Sequence, residues 1–332
     1  MNKFPKVNYI GNKEKLSEWI CDLFPNENTI FDAFSGGCSI AYKAKDLGYQ
    51  VITNDILSVN YHLSKSLIEN SNEKLNENDV EIIFSGNPEK GFVYKNYSNV
   101  YFYPEECMEL DLYRKNIEKL KNEYKKSLAL SLLRRSMIRK RPYSRFNILW
   151  DKVVQLRDEE YSYKHYKRRR AYHNESFKKH FIDNLDSYND SVFDNKKLNK
   201  AFNEDIFKII NSVKADIIYI DPPYPNTMND YFGFYGFLDE FIHSKKLTQF
   251  NNYFKDKNLV ENNLDKLFSQ LNNFKYCYLS YNNTAYPTKE KIIELLSKYS
   301  KSVEIYEKKH NYQITGKKHK RSNQEYLFKA TL

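Results

Sequence analysis

Strand and helix alternate in this chain, stop, and start again. Thr29-Ile30-Phe31 enters a strand, Ser35-Gly36-Gly37 turns, and Ile40, Ala41, Ala44 and Leu47 recur at helical spacing until Gly48 closes the helix. Val51-Ile52-Thr53 reads as the next strand, Asn54-Asp55 follow it, and Leu57, Tyr61, Ser64 and Ile68 mark another helical face. A βαβα unit of this kind commits the region to a parallel sheet covered by helices. From about residue 71 to 200 the alternation is lost, and charged and aromatic residues interleave. It resumes over 203–220 and continues with a strand over 274–280, a helix over 288–299, a strand over 302–307 and a last strand over 324–329. The expectation is a discontinuous α/β domain, residues 1–75 and 200–332, interrupted by a segment of different character, 76–199.

Composition narrows the class. The 332 residues include 29 Tyr and 22 Phe, enough for a sizeable core, and carry a formal net charge of +10. That charge favours a polyanionic partner. The abundance of Lys, Asn, Ile and Tyr also fits an AT-rich coding sequence, so charge alone does not decide for nucleic acid. Cys21, Cys38, Cys107 and Cys277 are scattered with no C-x-x-C pair, which argues for reduced thiols and against a zinc site. No apolar run approaches membrane-spanning length and residues 1–10 lack a signal-peptide core, so a soluble, cytoplasmic protein without a metal is expected.

The chemistry concentrates at strand ends. Asp216-Ile217-Ile218-Tyr219-Ile220 reads as a buried strand, and Asp221-Pro222-Pro223-Tyr224 follows it directly. Two prolines have fixed φ and no N–H, so their carbonyls point outward without ladder partners. Asp221 adds a second acceptor and Tyr224 a flat face, a set that suits the exocyclic amine of a planar base; a plain strand-ending turn is the structural alternative. Asp32 to Cys38 forms a strand-to-helix turn of the type that approaches ligands in open α/β sheets, and Asp55 ends the following strand, where an acid accepts from ribose hydroxyls. The turn lacks the full G-x-G-x-x-G spacing, so an adenosine without pyrophosphate fits better than a dinucleotide. Near the N-terminus, Gly11 and Lys13 precede a helix carrying Leu16, Trp19 and Ile20. A lysine at a helix start opposes the dipole unless an anion binds there; a solvated surface lysine is the bland reading.

Together these elements resemble the Dam-like, D12-class adenine-specific DNA methyltransferases in their α-type motif order. That order runs from Tyr9-Ile10-Gly11-Asn12-Lys13 through Phe34-Ser35-Gly36-Gly37-Cys38 and Asp55 to an insertion, Asp205, and the D-P-P-Y motif at Asp221 to Tyr224. The resemblance covers about residues 5–70 and 203–332. It implies a Rossmann-like methyltransferase fold, a mostly parallel seven-stranded sheet with a reversed final hairpin, and an inserted, mainly helical target-recognition domain. It implies S-adenosylmethionine as cofactor, with Tyr9, Gly11, Lys13, Asp32, Phe34, Gly36, Asp55, Asp205, Ile206 and Asp221 around it. Lys13 would lie near the methionine carboxylate, Asp55 would hold the ribose, and Asp205 with Ile206 would flank the adenine. Asp221 and the Pro222 carbonyl would bind the target amine, and Tyr224 would stack on the flipped ring. Cys38 stands where the family motif F-x-G-x-G has its second glycine; an ordinary backbone with a packed side chain is expected there.

The insertion carries two basic clusters. Leu133 to Arg145 holds Arg134, Arg135, Arg139, Lys140, Arg141 and Arg145 without an acid, and Arg168-Arg169-Arg170 end the second cluster. All nine are expected to contact double-stranded DNA, through phosphates or guanine edges. The aromatic-rich segment 225–237 reads either as a loop that orders on the target strand or as a packing segment. Lys317 to Arg321 reads as a basic hairpin turn. The function expected is site-specific adenine-N6 methylation of DNA within a restriction–modification or defence system, with a cognate endonuclease as a possible partner. The alternatives are an RNA adenine methyltransferase and a non-catalytic DNA-binding protein on the same scaffold.

Overall fold

A computed structural model describes residues 2–309 and 324–332 of the chain. The expected basic turn at Lys317–Arg321 therefore lies outside the described residues. Seven strands form one sheet: β1 (Thr29–Asp32), β2 (Gln50–Asn54), β3 (Lys200–Phe202), β4 (Ile217–Ile220), β5 (Tyr276–Asn282), β6 (Ser302–Lys309) and β7 (Gln324–Thr331). Their order is β3-β2-β1-β4-β5-β7-β6. β1 to β5 pair in parallel, and β7 runs antiparallel between β5 and β6, so the reversed final hairpin is present. β4 is buried along its whole length, as a central parallel strand with helices on both faces must be. Asp216 fixes its start: one carboxylate oxygen accepts from Asn28 N, Thr29 N and Thr29 Oγ1 at 2.7–3.2 Å, which sets β4 beside β1.

The chain divides into two compact units, one of residues 1–9, 57–194 and 232–249, the other of 10–56, 195–231 and 250–332. These bounds differ from 76–199 because helix Ser58–Ser64, read from sequence as part of the sheet domain, is tied into the helical unit. The Asp239 carboxylate accepts from the N–H groups of Ser58 and Val59 at 2.9 Å, and hydroxyl contacts link Ser66 to Ser131 and His62 to Ser127.

The sheet unit is built around Phe31, Ile218, Ile220, Cys277, Leu279 and Phe328, with Ile206, Leu264, Leu267, Ile292 and Leu296 from its helices. The other unit is helical. Its core includes an aromatic cluster in which Phe237 packs on Tyr97, Tyr101, Phe102 and Phe146 with ring centroids 4.8–5.9 Å apart. Segment 225–237 resolves in favour of packing for its second half. Helix Tyr231–His243 buries Phe234, Leu238 and Phe241 at helical spacing, and Tyr235 and Ile242 beside them. No helix among the described residues is long and apolar enough to cross a membrane.

Candidate active site

The strand order reverses between β1 and β4. Their carboxyl ends carry Asp32 and Asp221, and crevices at such switch points are where open α/β sheets bind ligands. Asp221 follows β4 directly and keeps 20% of its side chain exposed. Lys13 Nζ donates to Asp221 at 2.8 Å to Oδ2 and 3.1 Å to Oδ1, and lies 3.5 Å from Glu325 Oε1 on β7. Burial pushes the Asp221 carboxyl above the ordinary range; Lys13 opposes this, and Glu325 adds to it. Lys13 is expected beside a ligand carboxylate; the fold buries its side chain to 9% exposure and sets the ammonium against two protein carboxylates. The approach depends on Gly11, whose φ is +82° and where a Cβ would stand 2.9 Å from Tyr231 Oη.

Tyr224 is 4% exposed; its hydroxyl donates to the Ser280 carbonyl at 2.9 Å, and its ring meets Tyr281 edge-on at 4.4 Å. Its aromatic partner among the described residues is Tyr281. The Tyr224 carbonyl accepts from Thr227 Oγ1 and Asn229 Nδ2, which ties down the turn after the motif.

The turn after β1 is held from β2. Gly36 N–H donates to Asp55 Oδ2 at 2.8 Å, with Gly36 at φ +47°, so Asp55 shapes the turn as well as ending its own strand. Cys38 corrects the expectation of an ordinary backbone. Its φ is +62° and ψ 13°, left-handed, and its N–H donates to Ser35 O at 2.6 Å as helix Ser39–Asp46 begins. The turn demands this conformation whatever residue occupies it, and a Cβ there costs roughly 1–2 kcal/mol. Phe34 packs edge-on against Phe254. Asp205 caps helix Ile206–Ile209 through Phe207 N–H and accepts from Tyr253 Oη at 2.8 Å, and Ile206 is buried in the core.

Asp32 is 2% exposed. N–H groups of Phe34 and Ala41 donate to its carboxylate, but Oδ1 has no hydrogen-bond partner among the described residues. Burial, with Asp221 and Asp55 close by, pushes its pKa up to about 8. The native carboxyl thus holds its proton to about pH 8, whereas the unfolded one releases it near pH ~4. Between those values the native state binds more protons, so stability falls as pH rises through the window. Asp32→Asn, which keeps the shape of the neutral acid, is therefore expected to melt above the parent at pH 8. The gap should close towards pH 4 in thermal unfolding across that range; a pH-independent gap would mean that Asp32 does not titrate there.

Tyr9 belongs to the helical unit, where it stacks on Tyr235 at 5.0 Å and its hydroxyl accepts from Asn60 Nδ2 at 3.2 Å. Four of the nine basic residues expected on DNA are interior. Arg134 (0% exposed) donates to Val7 O and lies over the rings of Tyr9 and Tyr235, and Arg135 is 5% exposed. Lys140 pairs with Glu106 at 2.8 Å, and Arg141 donates to the carbonyls of Tyr101, Phe146 and Ile148. The seventeen-residue helix Glu123–Arg139 is buried along almost every face, so Arg134 and Arg135 serve its packing, and Lys140 and Arg141 anchor the chain just beyond its end. Arg168 and Arg169 are exposed, and Arg139, Arg145 and Arg170 half-buried. Sequence reading overlooked the exposed Tyr143, Tyr163 and Tyr166 among them; Arg169 lies over Tyr163 and Arg170 over Tyr166. The alternation of aromatic and basic residues over 161–170 was the available signal. Glu175, His180 and Asp183 bring possible metal-ligand atoms within 4.8 Å of one another, but Asp183 is paired with Lys179 and His180 Nε2 contacts Tyr172 O.

Comparison with known proteins decides the family. A family model described as D12 class N6 adenine-specific DNA methyltransferase matches residues 9–314. The chain belongs to this family. The methyltransferase is 54% identical over 327 residues to the Type II methyltransferase M2.HphI of Haemophilus parahaemolyticus, covering 98% of this chain and 97% of that protein. It is 24% identical to the Type II methyltransferase M.CviAII of Paramecium bursaria Chlorella virus 1, over 89% of each chain. It is 26% identical to the modification methylase StsI of Streptococcus sanguinis, over 89% of this chain but 46% of that longer protein. The enzyme is thus an adenine-N6 DNA methyltransferase, and its seven-stranded sheet is that of the expected α/β methyltransferase fold.

Proposed function

We propose that this methyltransferase moves the methyl group of S-adenosylmethionine to the N6 amine of an adenine flipped out of duplex DNA. We further propose that it does so as the modification partner of a cognate restriction endonuclease. The observation that carries the reading is Asp221-Pro222 at the carboxyl end of β4, beside Asp32 at the end of β1. The restriction–modification link is supported by relatives named Type II methyltransferases and modification methylases.

The site suits the cofactor. Asp32 Oδ1, buried and without a partner among the described residues, is placed to accept from an ammonium, whose charge would draw the carboxyl into its ionised form. Asp55 ends the adjacent strand, where ribose hydroxyls need an acceptor, and Asp205 with Ile206 stands at the end of β3 to flank a purine. When bound, S-adenosylmethionine supplies a methyl group made electrophilic by its sulfonium. The chain's own work is on the amine. Asp221 and the Pro222 carbonyl accept its two N–H groups and draw the nitrogen towards a tetrahedral shape, with the lone pair aimed outward. As the N–C bond forms, the Asp221 charge faces the cationic nitrogen, and the surplus proton passes to that carboxylate and on to water. Positioning and fixed charge supply the catalysis. The amine is out of reach inside a duplex, so the nucleotide must leave the stack.

The direct test is labelled methyl transfer to duplex DNA, single-stranded DNA and RNA, followed by mapping of modified adenines. Label on RNA alone would move the reading to an RNA methyltransferase. DNA binding without label on any nucleic acid would leave a non-catalytic binder. For the interface, we assign Arg139, Arg145, Arg168, Arg169 and Arg170 to DNA, with Tyr163 and Tyr166 as neighbouring faces. Replacing Arg168 and Arg169 together with Ala should lower the slope of log affinity against log salt by about 2. An unchanged slope would put both on free surface.

A further inference from the structure

The Lys13–Asp221 pair poses an electrostatic problem. A carboxylate meant to stabilise a nitrogen that turns cationic gains nothing from an ammonium at 2.8 Å, which cancels its charge. The cluster contains a second carboxylate. Glu325 is 1% exposed on β7, its Oε1 is 3.5 Å from Lys13 Nζ, and Ser280 Oγ on β5 donates to the same oxygen at 2.9 Å. One ammonium thus serves two carboxylates, and with all three ionised the trio carries a net charge of about −1.

We propose that Glu325 is a positioning residue for methyl transfer: it shares Lys13 with Asp221 and so leaves net negative charge facing the target amine. The inference rests on the reading of Asp221 as the group that binds that amine. During transfer the amine lone pair forms the N–C bond while the C–S bond breaks with its electron pair going to sulfur. One N–H proton then moves to the Asp221 carboxylate and leaves to water. As Asp221 takes the proton it ceases to attract Lys13, and Glu325 is the carboxylate that holds the ammonium until Asp221 is ionised again. Ser280 keeps Glu325 in that position from the neighbouring strand. The groups facing Asp221 are Lys13, Glu325, Asp32 and the phenols of Tyr219 and Tyr224, and Lys13 is the cation among them.

The test is Glu325→Gln, which keeps the shape and an acceptor for Ser280 but removes the charge. Two measurements are made on the full chain. The first is the titration of the Asp221 carboxyl carbon by ¹³C NMR without cofactor or DNA; it should move to lower pH, because a like charge has gone. The second is steady-state methyl transfer to duplex DNA; kcat should fall by about tenfold to a hundredfold, with the KM for S-adenosylmethionine within about twofold of the parent. Ser280→Ala, which retains the charge, should lose less than Glu325→Gln. An unmoved titration, a kcat within twofold of the parent, or an equal loss in Ser280→Ala would overturn the inference. Asp221→Asn is run alongside. If it retains transfer, the reading of the site fails; if it abolishes transfer while Glu325→Gln is silent, only the role of Glu325 fails.

Discussion

Asp221→Asn is expected to lower the rate of methyl transfer by about a thousandfold. The side chain keeps its shape and one acceptor oxygen. It loses the charge that faces the cationic nitrogen and the acceptor for the departing proton. It also presents an NH₂ group, so it can set donor against donor at the amine. Lys13, now facing Asn, retains Glu325 at 3.5 Å as its counter-charge, so the site should hold together and the thermal midpoint should stay close to the parent. Affinity for S-adenosylmethionine should change little, because its proposed acceptors are Asp32 and Asp55. Single-turnover transfer of labelled methyl with saturating DNA, beside calorimetric titration of the cofactor, separates these quantities. A near-parental rate would remove Asp221 from the chemistry.

The second large effect is on stability. Arg141→Ala is expected to destabilise the helical unit by about 3–5 kcal/mol, the loss typical when a buried ionic or hydrogen-bonded group is deleted. Arg141 is 1% exposed and donates to three backbone carbonyls: Tyr101 at 2.6 Å, Phe146 at 3.2 Å and Ile148 at 3.0 Å. Its guanidinium lies over the rings of Tyr101 and Phe146, and burial lowers its pKa to about 10. Alanine leaves three carbonyls without their donor, the Phe146 carbonyl in a fully buried position, and a cavity beside aromatic rings. Lysine cannot restore the arrangement, because an ammonium lacks the planar fork that reaches all three carbonyls. The fall in melting temperature should be on the order of 10 °C, whereas Arg168→Ala, on the exposed surface, should melt like the parent. Equal melting of the two variants would contradict the structural role given to Arg141.

The contrast between Arg141 and Arg168 shows what a charge run in a sequence leaves open. Both lie in Arg-rich stretches of the insertion, and charge alone sends both to DNA. The difference lies in the rings of Tyr101 and Phe146, about 45 residues apart in the chain, which come together over Arg141 only when the helical unit packs. Segment 225–237 behaves similarly: its aromatics read as a loop that orders on the target strand or as packing until Phe234, Leu238 and Phe241 are seen on one buried helical face. Cys38 adds a backbone case, since a left-handed residue that is not glycine leaves no mark in the sequence.

Local patterns determined the sheet. Apolar runs at 29–31, 51–53, 217–220, 274–280 and 302–307, with glycine turns between strand and helix, are short-range signals that survive without tertiary context. They were enough to place Asp32, Asp55 and Asp221 at strand ends, because a strand and its terminating turn are encoded within a few residues; the three-residue strand β3 ahead of Asp205 carries no such run. The sequence by itself therefore settled the α/β architecture and the motif order of the family, while the reversed hairpin followed only from the resemblance to that family. The tertiary structure decided what each polar group faces. Lys13 reads as a ligand for a cofactor carboxylate, yet the fold sets it between Asp221 and Glu325, residues more than 200 positions away. Glu325 has no motif around it and becomes visible only because β7 runs back between β5 and β6 and carries it to Lys13. Charge pairing across such distances depends on the closed fold, and that is the physical reason the strand-end positions were legible while their partners were not.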